Sequence, residues 1–361
     1  MPSPLDLTWP SPLLAEGRDP AIERELKRAL GFVPVSTRYT ARVPWVPELD
    51  RLAILPPTPS LDSETSELAG LAASHATFCR HCYGSVRAAM RLLGHDERRI
   101  ETLEQRLYGD EVSEKLQSAL EFVRRVCTLE VRRQDIAELG SVGHTREQIV
   151  DLTVYAAISG IYGRLNTSLA TPIDPLEKLA RSFMRPLIGY ILRRGVRKRR
   201  AVWEGKSSRS EDLVGPFQRL LALALPTPGA SELRKVIDRA LAESVNARRD
   251  KLLAIAVVGR GAGSTLLEEE AVALLAAEGA PGDQVTRTLD TLDSAMLDEF
   301  ARSFLQYARD SVTYQPADLQ ERARAMATGQ IPERTLDAIA TVALANGLAR
   351  LQTLALLESG G

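Results

Sequence analysis

The sequence predicts an all-helical protein. Apolar residues recur at three- and four-residue spacing through most of its 361 positions, aromatic residues make up 5% of the chain, and β-branched runs are scarce. Leu68, Leu71, Ala72, His75, Cys79, Cys82, Val86, Ala89 and Leu93 form one such stripe. Leu116, Ala119, Leu120, Val123 and Val126 form another, and Ile149, Leu152, Val154, Ala156 and Ile158 open a longer apolar run. Prolines crowd before residue 60, which predicts a leading segment of short helices and extended connections. Asp62 or Ser63 is placed to cap the first long helix, with Glu67 in its early turns. Cys127 falls on a helical stripe and reads as core, His95 after Leu92-Leu93-Gly94 as part of a helix end, and His144 as a surface residue before a helix capped by Thr145.

Composition narrows the class of function. A net charge of −1, with 26% charged and 44% hydrophobic residues, predicts an ordinary globular chain without a global field for nucleic acid or a membrane surface. Three cysteines make no secreted disulfide framework and favour a reducing compartment. The opening Met-Pro-Ser-Pro-Leu-Asp lacks the pattern of a signal peptide, and no stretch approaches about 20 uninterrupted apolar residues. The expected location is the cytoplasm.

The chain also resembles itself. Leu92-Leu93-Gly94, with Ile100-Glu101-Thr102-Leu103 beyond it, matches Ala277-Glu278-Gly279 followed by Val285-Thr286-Arg287-Thr288-Leu289, an offset of 185 residues from Gly94 to Gly279. Phe122-Val123-Arg124 falls on Tyr307-Ala308-Arg309 at that offset, and Glu147 to Asp151 on Glu333 to Asp337 with one residue more. This predicts two related helical domains, 1–175 and 213–361, joined by a linker over 176–212. The linker carries Arg181, Arg185, Arg193, Arg194, Arg197, Lys198, Arg199 and Arg200 among Phe183, Leu187, Ile188, Ile191 and Leu192. Such a basic amphipathic helix binds acidic lipid or RNA in some proteins, but the favoured expectation is an inter-domain helix with solvated or paired arginines. Gly205 to Ser210 reads as a loop. Gly259-Arg260-Gly261-Ala262-Gly263-Ser264 looks like a phosphate loop, yet no strand pattern precedes it; three glycines there predict a kinked or broken helix.

The chemistry concentrates in Ser74-His75-Ala76-Thr77-Phe78-Cys79-Arg80-His81-Cys82-Tyr83-Gly84, which holds two of the three cysteines and two of the four histidines. A Cys-x-x-Cys in a helical pattern has three uses. The first is dithiol–disulfide exchange, for which His75, Arg80, His81 and Arg87 lie within two turns and favour a thiolate. The second is a metal held by His75, Cys79 and Cys82 at i, i+4 and i+7, with Glu67 as a fourth ligand. In the third, the cysteines are small hydrophobes on a buried face. Redox use is favoured. The second copy has Leu252, Ser264, Leu266 and Leu267 where the first has Glu67, Cys79, His81 and Cys82, so it reads as a structural or interface domain.

Residues 30–170 resemble the carboxymuconolactone decarboxylase and alkylhydroperoxidase D-like superfamily. The resemblance rests on Glu67 twelve positions before Cys79, the Cys79-Arg80-His81-Cys82 motif, Leu30-Gly31-Phe32-Val33-Pro34, Pro44-Trp45-Val46-Pro47, and Ile149-Val150-Asp151-Leu152. It implies two tandem helical bundles of that kind, assembly into oligomers, a hydroperoxide or other small electrophile as substrate, and a lipoyl-type dithiol as reductant. It implies Cys82 as the peroxidatic cysteine, Cys79 as the resolving one and Glu67 as the base acting through water. One position departs: Val86 stands where those proteins carry the motif histidine, and valine cannot pass a proton. His75 is the candidate replacement, and if helical it would sit nearer Cys79 than Cys82. No flavin, nicotinamide or other cofactor is expected. The competing readings are a non-redox or metal-binding member of the same superfamily and a non-catalytic binding or scaffold protein.

Overall fold

The computed structural model describes residues 4–7, 10–106, 113–174, 182, 186–190, 194, 201–294, 297–313 and 315–358, and those residues contain helices and no strand. The proline-rich leader gives three short helices, α1 (Pro20–Leu30), α2 (Thr37–Thr40) and α3 (Pro47–Ile54). Six more follow: α4 (Ser63–Ala76), α5 (Arg80–Leu93), α6 (Glu97–Arg106), α7 (Glu114–Thr128), α8 (Arg133–Ser141) and α9 (Arg146–Leu169). After the linker come α10 (Gln218–Ala222), α11 (Pro228–Ala242), α12 (Arg248–Gly261), α13 (Thr265–Ala277) and α14 (Gly282–Thr291). The chain ends with α15 (Glu299–Asp310), α16 (Pro316–Ala327), α17 (Pro332–Leu351) and α18 (Ala355–Glu358).

Side-chain caps set several of the helix starts. Asp62 accepts from Thr65 N at 2.7 Å to begin α4, and Thr145 exchanges bonds with Gln148 to begin α9. The helix starts of the first half recur in the second. Ser63, Arg80, Glu97 and Glu114 open α4 to α7, and Arg248, Thr265, Gly282 and Glu299, each 185 residues on, open α12 to α15. Arg146 of α9 and Pro332 of α17 differ by 186.

The long helices α9 and α17 pack together along the middle of the molecule, and a Cβ at Gly347 would overlap the Ile161 side chain. Two wholly buried arginines mark the seam. Arg164 on α9 donates to the Ser311 and Val312 carbonyls, and Arg350 on α17 donates to the Cys127 carbonyl. A pair of buried aspartates crosses it as well. Asp151 accepts from Thr227 Oγ1 of the second half at 2.6 Å, and Asp337 from Trp45 Nε1 of the first half at 2.8 Å. Asp337 also pairs with the fully buried Lys251. Among the described residues one stretch, Pro332–Glu358, is long and apolar enough to cross a membrane by length and composition, and 78% of its most apolar window is buried inside the protein.

Cys127 lies in the core, where burial pushes its thiol up to about 11. His144 is half-buried at the surface, its Nε2 2.7 Å from the Lys115 carbonyl. In the linker, Arg181, Phe183, Arg185, Ile191, Leu192, Arg193, Arg197, Lys198, Arg199 and Arg200 lie outside the described residues; Leu187 and Arg194 are exposed and Ile188 half-buried. Gly205 to Arg209 is a loop.

Candidate functional site

The motif does not lie on one continuous helix. α4 ends at Ala76, the chain reverses through Thr77 and Phe78 with Phe78 at φ 46°, and α5 begins with Cys79 as its N-cap. The same break separates α12 from α13 at Ala262–Ser264, where Gly263 takes the positive φ. In both halves the residue that opens the second helix donates its N–H back across the break, Cys79 to the Ser74 carbonyl and Ser264 to the Gly259 carbonyl. The glycine-rich segment is thus a helix break. At Gly259 an added Cβ would lie 2.8 Å from the Glu268 backbone nitrogen, so the two helices pack closely there.

This break overturns the one-face arrangement expected of His75, Cys79 and Cys82. His75 sits in the last turn of α4, its ring 5.9 Å from Phe78 and 6.1 Å from Tyr83, and it is not among the residues lining the cavity described below. It is thus placed off the wall that carries Cys82 and Val86. The metal set His75, Cys79 and Cys82 does not converge either, and among the described residues no group of three or more His, Cys, Asp or Glu side chains could hold a metal ion. Arg87 is also turned to other work, pairing with Glu97 and Glu104.

The two cysteines form a disulfide with their Cα atoms 5.3 Å apart. Cys79 is wholly buried, and its sulfur accepts the Cys82 N–H at 3.2 Å as the helix cap. Cys82, 8% exposed, lines a cavity of about 330 Å³. Glu67, His81, Tyr155, Tyr162 and Asp174 supply polar groups to that cavity, while Phe32, Ile54, Leu55, Met90 and Leu93 make much of it apolar. Val86 is on the wall one turn after Cys82, facing Gly70 of α4. Trp203, at the end of the linker, contributes another wall and carries the Lys206 ammonium 5.1 Å from its ring centre.

Each polar group has a defined setting. Glu67 meets His95 Nε2 at 3.3 Å, so the histidine after Gly94 supports the carboxylate of α4. Burial, with the charge of Glu67 behind it, raises the Tyr155 phenol. His81 is buried, with Nδ1 2.6 Å from the Pro172 carbonyl and Nε2 3.3 Å from the Tyr162 hydroxyl. Burial lowers its proton affinity, and the Pro172 carbonyl and the Asp174 carboxylate oppose that.

Several cavity residues were not singled out from the sequence. Tyr155, Ser159 and Tyr162 lie at helical spacing on α9, and that polar stripe in an apolar run was the available signal. Asp174 and Trp203 reach the cavity from segments with no periodic pattern, and nothing local in the sequence announced them.

A disulfide with one sulfur against a cavity and the other buried at a helix N-terminus can do directional chemistry. An attacking thiolate reaches only Cys82, and the leaving sulfur is Cys79, whose thiolate the helix N-terminus stabilises. Comparison with protein-family models and with curated proteins finds no match for this chain.

Proposed function

We propose that this protein is a thiol-dependent oxidoreductase of the alkylhydroperoxidase D-like type, acting through Cys82 and Cys79. The observation that carries the reading is the asymmetry of the pair: a cavity-facing Cys82 disulfide-bonded to a buried Cys79 at the cap of α5. In the reduced enzyme the Cys82 thiolate attacks the terminal oxygen of a hydroperoxide. The O–O bond breaks, the alcohol leaves with a proton, and Cys82 becomes a sulfenic acid. Cys79 then attacks the Cys82 sulfur, the S–O bond breaks, water departs and the disulfide forms. A lipoyl-type dithiol attacks Cys82, releases Cys79 and is itself oxidised in restoring both thiols. Glu67, on the cavity wall and held by His95, serves as a base through water, and His81 lines the same cavity as Cys82.

The tandem organisation belongs to the same proposal. Recurring helix starts and the Arg164 and Arg350 seam support two bundles packed as two subunits of a single-domain ancestor would be, with the second copy silent and further assembly into oligomers. A reducing, cytoplasmic setting suits a disulfide that must be cycled.

Trapping the first intermediate tests the reading. One equivalent of cumene hydroperoxide added to the reduced Cys79→Ser variant is expected to give a sulfenic acid at Cys82, captured by dimedone and located by mass spectrometry. Native protein treated alike is expected to lose the mass of two hydrogen atoms and bind no dimedone. Labelling confined to Cys127, or no labelling, contradicts it.

A further inference from the structure

His81 is one end of a continuous chain of hydrogen bonds that passes through Tyr162, itself on the cavity wall, to the buried Ser36 and Asp50. Its Nε2 lies 3.3 Å from the Tyr162 hydroxyl, that hydroxyl 3.1 Å from Ser36 Oγ, and Ser36 Oγ 2.8 Å from Asp50 Oδ1. Asp50 is fully buried on α3, and its other oxygen accepts from Thr37 Oγ1 at 2.9 Å and Thr40 Oγ1 at 3.3 Å. Three hydroxyls surround this carboxyl, and among the described residues no cation pairs with it.

The Pro172 carbonyl can only accept, so His81 Nδ1 carries a hydrogen in every state. Three gaps remain between Nε2, Tyr162, Ser36 and Asp50. With His81 neutral and Asp50 ionised, two hydroxyl protons serve them and one gap stays empty. One added proton fills all three in either of two ways. Placed on Asp50, it sets every hydroxyl pointing toward His81. Placed on His81, it sets every hydroxyl pointing toward Asp50 and leaves an imidazolium on the wall of the cavity that Cys82 lines, balanced by a buried carboxylate. The two arrangements differ only by a concerted shift of three protons along the chain.

We propose that Asp50 is a positioning residue for the dithiol: through Ser36 and Tyr162 it supports the protonated form of His81 and thereby favours the Cys82 thiolate. A positive charge on the same cavity wall favours the Cys82 thiolate through its field, and a carboxylate two hydroxyls away compensates for burying that cation. Asp174 adds a second negative group near His81, and Glu67 and Tyr155 are the other ionisable neighbours on the cavity wall. The second half has nothing comparable, with Leu266 in place of His81 and Leu348 in place of Tyr162. This inference rests on the dithiol reading for its purpose, but its test reads thiol ionisation and not turnover.

The test is the pH dependence of iodoacetamide alkylation of Cys82 in the reduced Cys79→Ser protein, with the buried Cys127 as an internal control. The parent is expected to titrate below the ordinary thiol value of about 8.5. Asp50→Asn and Tyr162→Phe are each expected to slow alkylation at pH 7 by about tenfold and move the profile upward. Asp50→Asn is expected to add nothing in a His81→Gln background. An unchanged profile in a folded Asp50→Asn or Tyr162→Phe protein overturns the proposal, as does an additive effect with His81→Gln. Should Asp50→Asn fail to fold by circular dichroism, Tyr162→Phe, which removes a single hydroxyl, decides. A coupled profile in a protein without peroxide turnover keeps the relay and removes the enzyme reading.

Discussion

Cys82 and Cys79 divide their roles by burial and by backbone. Cys82 meets the cavity, and Cys79 sits behind it with its sulfur tied into the start of α5. In the proposed mechanism Val86 limits this arrangement, because an isopropyl group occupies the wall position one turn beyond Cys82. A histidine there would reach the same cavity and supply a general base. Val86→His is therefore expected to raise hydroperoxide turnover about tenfold or more, within the range of positioned acid–base groups. A rate unchanged or lowered in a folded variant counts against a proton-transfer role for that wall. The cysteine pair, Glu67 and Val86 were singled out from the sequence because each stands at a fixed spacing from the others. Tyr162, Ser36 and Asp50 were not, since their contacts span up to 126 positions and depend on how α3 packs against α9.

At the level of the helix, the break between α4 and α5 organises the site. It makes Cys79 an N-cap, turns His75 out of the cavity and directs α5 so that Cys82 and Val86 share one wall. Heptad-like spacing ran straight through the break, so the sequence of the first half read as one helix. The turn residue is Phe78 at positive φ, which carries no glycine signal, whereas the second half announces its equivalent turn with Gly259, Gly261 and Gly263. Ser264 opens α13 where Cys79 opens α5, its hydroxyl turned to Gln352, and at position 79 a serine hydroxyl could accept the Cys82 N–H in place of the sulfur. In the reduced state Cys79→Ser is expected to lie within about 1 kcal/mol of native in urea unfolding while losing all disulfide formation. A loss of several kcal/mol would show that Cys79 is needed for packing rather than for exchange.

Across the whole molecule, α9 serves both halves: one side lines the cavity through Tyr155, Ser159 and Tyr162, and another packs on α17. Helix content and the long apolar helices were readable from periodicity, while the close crossing at Gly347 and the buried Arg164 and Arg350 were not, because they depend on the two halves meeting. Gly347→Ala places a methyl group in the Ile161 side chain and is expected to cost about 1–3 kcal/mol in urea unfolding. A neutral result would mean that the halves shift apart freely. If this crossing holds α9 in place, the same variant also loosens the cavity wall. The central claim, that the cavity-facing pair turns over hydroperoxide at the expense of a dithiol, is tested most directly by steady-state cumene hydroperoxide consumption with dihydrolipoamide. The native protein is expected to turn over, and Cys82→Ser and Cys79→Ser are each expected to fall to the uncatalysed rate. Native protein with both thiols free and no turnover, or full turnover in either variant, would contradict it.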